Sequence, residues 1–216
     1  MKEFILFDLD GTLTDSSPGI INSLTYAFEK LDFKIKSREE LRVFIGPPLI
    51  DMMMEQYGFS HEKATLGLKY YREYFRDKGI FENSVYDGIP EMLSELQTRG
   101  YKLLLATSKP EEFAKRIMEH FDLSKYFYFI GGSDMGETRS SKSAVIEYVL
   151  KNLGITESEK CIMVGDREHD VIGAGKYGIK TIGVLFGYGS REELEKSGAS
   201  YIVESVEELG DVLKII

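Results

Sequence analysis

Phe4-Ile5-Leu6-Phe7-Asp8-Leu9-Asp10-Gly11-Thr12-Leu13-Thr14-Asp15 is the stretch on which the reading of this chain turns. Four apolar residues in a row fit a strand buried on both faces, as in parallel sheets. Gly11 marks a tight exit from it. Asp8 and Asp10 then lie at the C-terminal lip of the strand, where open α/β sheets hold ligands. Two residues apart in extended chain, their side chains leave on the same side. Carboxylates that close repel, and a proton or a metal ion relieves them.

Outward from this strand, Ser16-Ser17-Pro18 reads as a cap with proline early in a helix. Ile20, Ile21, Leu24, Ala27, Phe28 and Leu31 continue at helical spacing. Ser37 to Glu40 is a capping box by residue type, opening a short helix through Phe44. Gly46-Pro47-Pro48 breaks it, and helices are expected over 52–57 and 61–78. From Tyr86 onward, strands and helices alternate. Strands are expected over 101–106, 126–130, 161–164, 180–185 and 201–203, the first stopping at Thr107-Ser108-Lys109-Pro110. Such alternation predicts an α/β fold, a Rossmann-like doubly wound parallel sheet with an inserted all-helical domain. The core would take residues 1–15 and 84–216, and the helical insert 16–83.

The 216 residues suffice for one domain plus a small insert. A net charge of −9 argues against nucleic acid or an anionic membrane as partner. It leaves room for an anionic substrate, because a metal and one or two cations invert the local field. The single cysteine, Cys161, lies in an apolar run, which excludes a disulfide framework and fits a reducing cytoplasm. Met1-Lys2 leads straight into a strand, so no signal peptide is expected. No apolar run approaches the roughly 20 residues of a membrane span.

If the sheet is parallel, its strand C-termini share one edge. That edge collects Asp8 and Asp10, Thr107 and Ser108, Ser133 and Asp134, and Asp166 with Asp170, and Lys142 can reach it from a helix start. Carboxylates without histidine or thiolate suit a hard cation such as Mg²⁺. Hydroxyls, N–H groups and an ammonium suit a phosphoryl group. The set fits phosphoryl transfer by an attacking aspartate.

Asp8-Leu-Asp10-Gly-Thr-Leu-Thr-Asp15, Thr107 after an apolar strand, Lys142, and Gly165-Asp166-Arg-Glu-His-Asp170, in this order, resemble the four motifs of the haloacid dehalogenase-like phosphatase superfamily. The resemblance implies that Asp8 is the nucleophile and forms an aspartyl-phosphate. It implies that Asp10 is acid to the leaving alcohol and then base to water. Thr107 and Lys142 would hold the phosphoryl oxygens. Mg²⁺ would be held by Asp8, the Asp10 backbone carbonyl and Asp166, with Asp170 as ligand or just behind. The helical insert resembles the superfamily's small cap, which closes over substrate. Phe44-Ile-Gly-Pro-Pro-Leu49, Thr107-Ser-Lys-Pro-Glu111 and Thr138-Arg-Ser-Ser-Lys142 resemble the phosphoglycolate-phosphatase-like branch, most of all members described as 5′-nucleotidases. Ser108, Lys109, Arg139, Gly46 and Pro47 are therefore further substrate-binding candidates.

These expectations describe a cytoplasmic, Mg²⁺-dependent phosphatase of a small phosphorylated metabolite, acting as monomer or homodimer. A nucleoside 5′-monophosphate or phosphoglycolate leads the candidates. A phosphosugar mutase of the β-phosphoglucomutase type shares the chemistry, and a non-enzymatic phospho-receiver module shares the residue types. A dehalogenase has no use for Asp10 as an acid. Bland readings go to other features. Gly173-Ala174-Gly175-Lys176-Tyr177-Gly178 matches a dinucleotide fingerprint by letter, but it falls inside an expected helix and reads as close helix–sheet packing. His61, His120 and His169 are scattered and read as surface residues. Tyr70, Tyr71, Tyr74 and Phe75 read as core of the helical insert.

Overall fold

A computed structural model describes residues 2–136 and 138–215. In chain order its elements are β1 (Phe4–Phe7), β2 (Thr14–Asp15), α1 (Ser17–Lys30), α2 (Leu49–Tyr57), α3 (His61–Asp77), β3 (Ser84–Val85), α4 (Ile89–Thr98), β4 (Lys102–Pro110) and α5 (Glu111–His120). There follow β5 (Phe127–Ser133), α6 (Lys142–Leu153), β6 (Cys161–Gly165), α7 (Glu168–Gly175), β7 (Lys180–Val184), α8 (Arg191–Ser197), β8 (Tyr201–Val203) and α9 (Val206–Ile215). The chain divides into two compact units, Met1–Thr14 with Val85–Ile216, and Asp15–Ser84. It passes between them in β2 and β3, which pair as a separate two-stranded sheet.

The first unit is the α/β core. Its six-stranded sheet has the order β5-β4-β1-β6-β7-β8, and each neighbouring pair is parallel. β1 lies inside the sheet, with Phe7 opposite both Leu105 and Val164. Ile5, Leu6 and Phe7 have no exposed surface, as expected for a strand covered on both faces. On one face Leu6, Leu104 and Met163 pack with Val145, Ile146 and Val149 of α6 and Ala174 of α7.

The strand expected to stop at Thr107 runs on to Pro110, and the strand expected to stop at Ile130 runs on to Ser133. Thr-Ser-Lys-Pro and Gly-Gly-Ser are turn formers by composition. Here the two strands hold each other extended: Ala106 is opposite Gly131 and Pro110 opposite Ser133, with a register shift between the two pairs. Tertiary pairing overrides local preference.

The second unit is all-helical but for its strand residues at either end, Asp15 and Ser84. Its first helix is capped by Asp15 rather than Ser16: Asp15 Oδ1 accepts from the Ser17 N–H at 3.0 Å and from Ser17 Oγ at 2.6 Å. The segment opened by Ser37 is a 3₁₀ turn over Glu39–Phe44. Tyr71 and Phe75 are buried and stacked at 5.3 Å, whereas Tyr70 and Tyr74 are only half-buried. A larger aromatic core forms around Phe28, whose ring lies 5.3–6.2 Å from those of Phe33, Phe44, Tyr57 and Phe59. Burying one such ring contributes roughly 1.5–3 kcal/mol. Among the described residues, no helix is long and apolar enough to cross a membrane.

Candidate active site

Asp8 follows β1 directly, and its N–H donates to the Val164 carbonyl at 2.9 Å, so the end of β1 is held against β6. Gly11 turns the chain back at φ +84°, with its N–H on the Thr14 carbonyl. Asp166 directly follows β6, and Asp170 sits in the first turn of α7. There Asp170 Oδ2 accepts the Arg167 N–H at 3.1 Å, which closes the helix start. These placements bring one carboxylate oxygen each from Asp8, Asp166 and Asp170 within 4.8 Å of one another, all three residues being buried.

Lys142, the first residue of α6, points into this cluster. Its Nζ lies 2.6 Å from Asp8 Oδ1 and 2.8 Å from Asp170 Oδ1. It also donates to the Ala106 carbonyl at 3.0 Å. Gly173 of α7 permits that approach, because a Cβ there would stand 2.9 Å from Lys142 Cγ. Within the glycine-rich run of α7, Gly173 thus serves close packing against α6, while Ala174 packs on the sheet as expected.

Burial pushes the Asp8 carboxyl upward, Lys142 pulls it back, Asp170 adds to the push, and it stays above the usual carboxylate value. For Asp166, burial and the charges of Asp170 and Asp8 raise it well above that value, against the hydrogen bond from the Tyr188 N–H. For Lys142, burial disfavours the ammonium, but Asp170 and Asp8 together outweigh it, so the cation is held more firmly than in a free lysine.

Asp10 stands apart from this group. Its Oδ1 forms an ion pair with Lys109 Nζ at 2.9 Å, both side chains being nearly buried. Thr107 is buried on β4, and its Oγ1 accepts the Lys109 N–H at 3.2 Å rather than capping α5, whose N-cap residue is Pro110. Ser108 is half-buried on the same strand. Arg139 is engaged elsewhere: Nε donates to the Gly132 carbonyl at 2.9 Å, the guanidinium lies 3.7 Å from the Tyr148 ring centroid, and Nη2 is 3.8 Å from Glu111. Those contacts fasten Arg139 to the core. Gly46 and Pro47 belong to the helical unit, between the 3₁₀ turn and α2. His61, His120 and His169 are exposed and separate.

One component of the site is not legible in the motifs. The Tyr188 N–H donates to Asp166 Oδ2 at 2.7 Å from the loop after β7. Gly187 and Gly189 let that loop come so close: a Cβ at 187 would lie 2.2 Å from the Gly11 carbonyl oxygen, and one at 189 only 1.9 Å from the Asp166 carbonyl oxygen. The spacing Gly-Tyr-Gly after a strand is the sequence signal for such an approach.

The other oxygen of Asp166, Oδ1, is buried without a hydrogen-bond donor. A buried carboxylate oxygen left so, among two further carboxylates, fits a cation, and an all-oxygen donor set fits a hard one such as Mg²⁺.

Residues 5–184 match the family model of the haloacid dehalogenase-like hydrolases. The chain belongs to this family. Along 97% of its length it is 42% identical to a 5′-nucleotidase from Pseudomonas aeruginosa, of which it covers 95%. It is 35% identical to the tyrosine-protein kinase PtkA of Mycobacterium tuberculosis over 99% of its own length and 73% of that protein. Among solved structures, a protein described as a predicted phosphatase from Clostridium acetobutylicum superposes with a TM-score of 0.97, at 49% identity, over the whole of both chains. The haloacid dehalogenase-like hydrolase is therefore an enzyme with a phosphatase-named likeness across its full length, and its Rossmann-like fold is that of the family.

Proposed function

We propose that this hydrolase is a Mg²⁺-dependent phosphatase of small phosphate monoesters, with a nucleoside 5′-monophosphate as first candidate substrate. The observation that carries the reading is the division of labour among the carboxylates. Asp8 and Asp170 are paired with Lys142 and lie together with Asp166, whereas the Asp10 carboxylate is held separately on Lys109. A nucleophile and an acid have to be kept distinct in this way, because one must be ionised while the other carries a proton.

Asp8, Asp166 and Asp170 would hold Mg²⁺, with the Asp10 backbone carbonyl as the family resemblance implies. A cation held there would supply charge to offset the repulsion between the Asp8 carboxylate and an incoming phosphate. An Asp8 oxygen bonds to phosphorus as the ester P–O bond breaks. The electron pair leaves on the ester oxygen, which takes the proton of the Asp10 carboxyl. Asp10, now a carboxylate, removes a proton from the water that then attacks the aspartyl-phosphate, and inorganic phosphate leaves. Lys142 and Thr107 balance the charge on the phosphoryl oxygens.

The nucleotide preference rests on the named 5′-nucleotidase relative and on the Thr107-Ser-Lys-Pro resemblance. A cytoplasmic location is part of this proposal, and a single, buried cysteine is compatible with it. Phosphate release with Mg²⁺ from nucleoside 5′-monophosphates, phosphoglycolate and hexose phosphates tests the proposal. Turnover of one of these esters that Asp8→Asn abolishes is the expected result, and near-normal activity in that variant overturns it. The same screen answers the mutase reading, which requires conversion of a hexose 1-phosphate to its 6-phosphate isomer without free phosphate.

A further inference from the structure

Lys109 lies outside the four motifs, yet it is as deliberately placed as Lys142. It is carried on the part of β4 beyond Ala106, where the register against β5 shifts. That shift leaves Lys109 buried, with its side chain 6% exposed and its Nζ on Asp10 Oδ1 at 2.9 Å. Its backbone is fixed on two sides. The N–H donates to Thr107 Oγ1, and the carbonyl lies where a Cβ on Gly132 would stand 2.6 Å away, so only glycine permits that approach. Long basic side chains are rarely buried unless paired, and the partner named here is the Asp10 carboxylate.

We propose that Lys109 is a positioning residue for Asp10, rather than a contact to the substrate's own charge. The inference rests on the phosphatase reading above. Lys109 holds one oxygen of the carboxyl, which leaves the other to exchange the proton. When the ester P–O bond breaks and the ester oxygen takes the proton from Asp10, a carboxylate forms beside an ammonium already in place. The worth of Lys109 then scales with how much the leaving oxygen needs that proton. An alkoxide leaves only when protonated, whereas a nitrophenolate leaves without it.

The test compares kcat/KM, which reports steps through formation of the aspartyl-phosphate, for an alkyl ester (a nucleoside 5′-monophosphate) and p-nitrophenyl phosphate. Both are measured with Mg²⁺ on the full chain. Lys109→Met is expected to lose about 100-fold on the alkyl ester, the order of a general-acid contribution, and less than about 5-fold on the aryl ester. Lys109→Arg, which keeps the charge, should recover part of the alkyl loss and carries the comparison if the methionine variant does not fold. Equal losses on the two esters overturn the proposal. So does a loss confined to KM and only for esters bearing a second anion, which makes Lys109 a substrate anchor. If the wild type turns over neither ester, it is the phosphatase reading that fails, and the proposal falls with it.

Discussion

Replacing Lys142 with methionine should destabilise the metal-free protein strongly, and in a way that depends on pH. The lysine side chain is 4% exposed and sits 2.6 Å from Asp8 and 2.8 Å from Asp170. At an effective dielectric constant near 20, each contact has a gross attraction of ~6 kcal/mol. Most of this is offset by the desolvation of three charges and by the repulsion between the carboxylates. What the variant reveals is the cost of leaving two carboxylates buried without a cation, about 3–5 kcal/mol. Methionine keeps most of the stem that packs beside Gly173, so a cavity contributes little. For a chain of this size such a loss lowers the thermal midpoint by roughly 6–20 °C. The pH dependence follows from the sign of the Asp8 shift. Its folded carboxyl titrates above the usual carboxylate value of 3.8, so the folded state binds its proton more tightly than the unfolded state. Stability is fully present below that value and is lost as pH rises through the folded pKa. Without the ammonium the shift is larger, so the deficit should be smaller at pH 4 than at pH 7. Urea unfolding across that range, with unchanged m-values, measures it. A deficit below about 1 kcal/mol at pH 7, or one equal at both ends, would refute the view that Lys142 neutralises this cluster.

Asp166→Asn should make the metal-free protein more stable at neutral pH, by about 1 kcal/mol, because it removes a buried carboxylate repelled by two others. It should also abolish the rise in thermal midpoint on adding Mg²⁺, and a retained rise would remove Asp166 from the metal set. Gly187→Ala should cost roughly 1–3 kcal/mol by overpacking, since the new Cβ meets the Gly11 carbonyl oxygen and Asp166 Cβ. Differential scanning calorimetry reads it, and a neutral result would mean that the loop moves away freely. The Cys161 thiol, pushed up to about 11 by burial from its ordinary value of 9.0, should resist alkylation in the folded protein at pH 8. Its contribution to stability is present below pH 9 and is lost between there and about 11, and Cys161→Ala should flatten the fall in denaturation midpoint over that interval.

The sheet is legible in the sequence because each of its central strands is an apolar run ending at a polar residue, and burial on both faces demands such runs. Strand ends are less so. Thr107-Ser-Lys-Pro110 and Gly131-Gly-Ser133 each read as a turn in isolation, and only the neighbouring strand keeps them extended. That error bears directly on the site, because a strand that continues past Thr107 aims Lys109 at Asp10, whereas a turn there leaves the lysine only as a candidate contact to substrate. The aromatic core of the helical unit escaped for a related reason. Phe28, Phe33, Phe44, Tyr57 and Phe59 belong to no single periodic face. The run at 70–75, which does have a helical period, gives only Tyr71 and Phe75 to the buried interior. Arg139 shows that charge type alone does not locate a cation, since its guanidinium is engaged by Gly132, Tyr148 and Glu111.

Asp8 and Asp10 illustrate where the sequence stops and geometry begins. Two places apart, they are chemically identical, and extended backbone sends them to one side. Gly11 turns the chain immediately after Asp10, and the two carboxylates then meet different cations: Lys142 of α6 for Asp8, Lys109 of β4 for Asp10. Those lysines stand 33 positions apart in the chain, on elements that pack through the same sheet edge. On the proposed reading, the asymmetry that phosphoryl transfer needs, one carboxylate to attack and one to carry a proton, would come from the pairing of β4 with β5 and the close approach of α6 to α7. No feature of the Asp8-Leu-Asp10 tripeptide supplies it. A variant that loosens the β4–β5 pairing at Gly132 would be expected to disturb Asp10 while leaving Asp8 on Lys142.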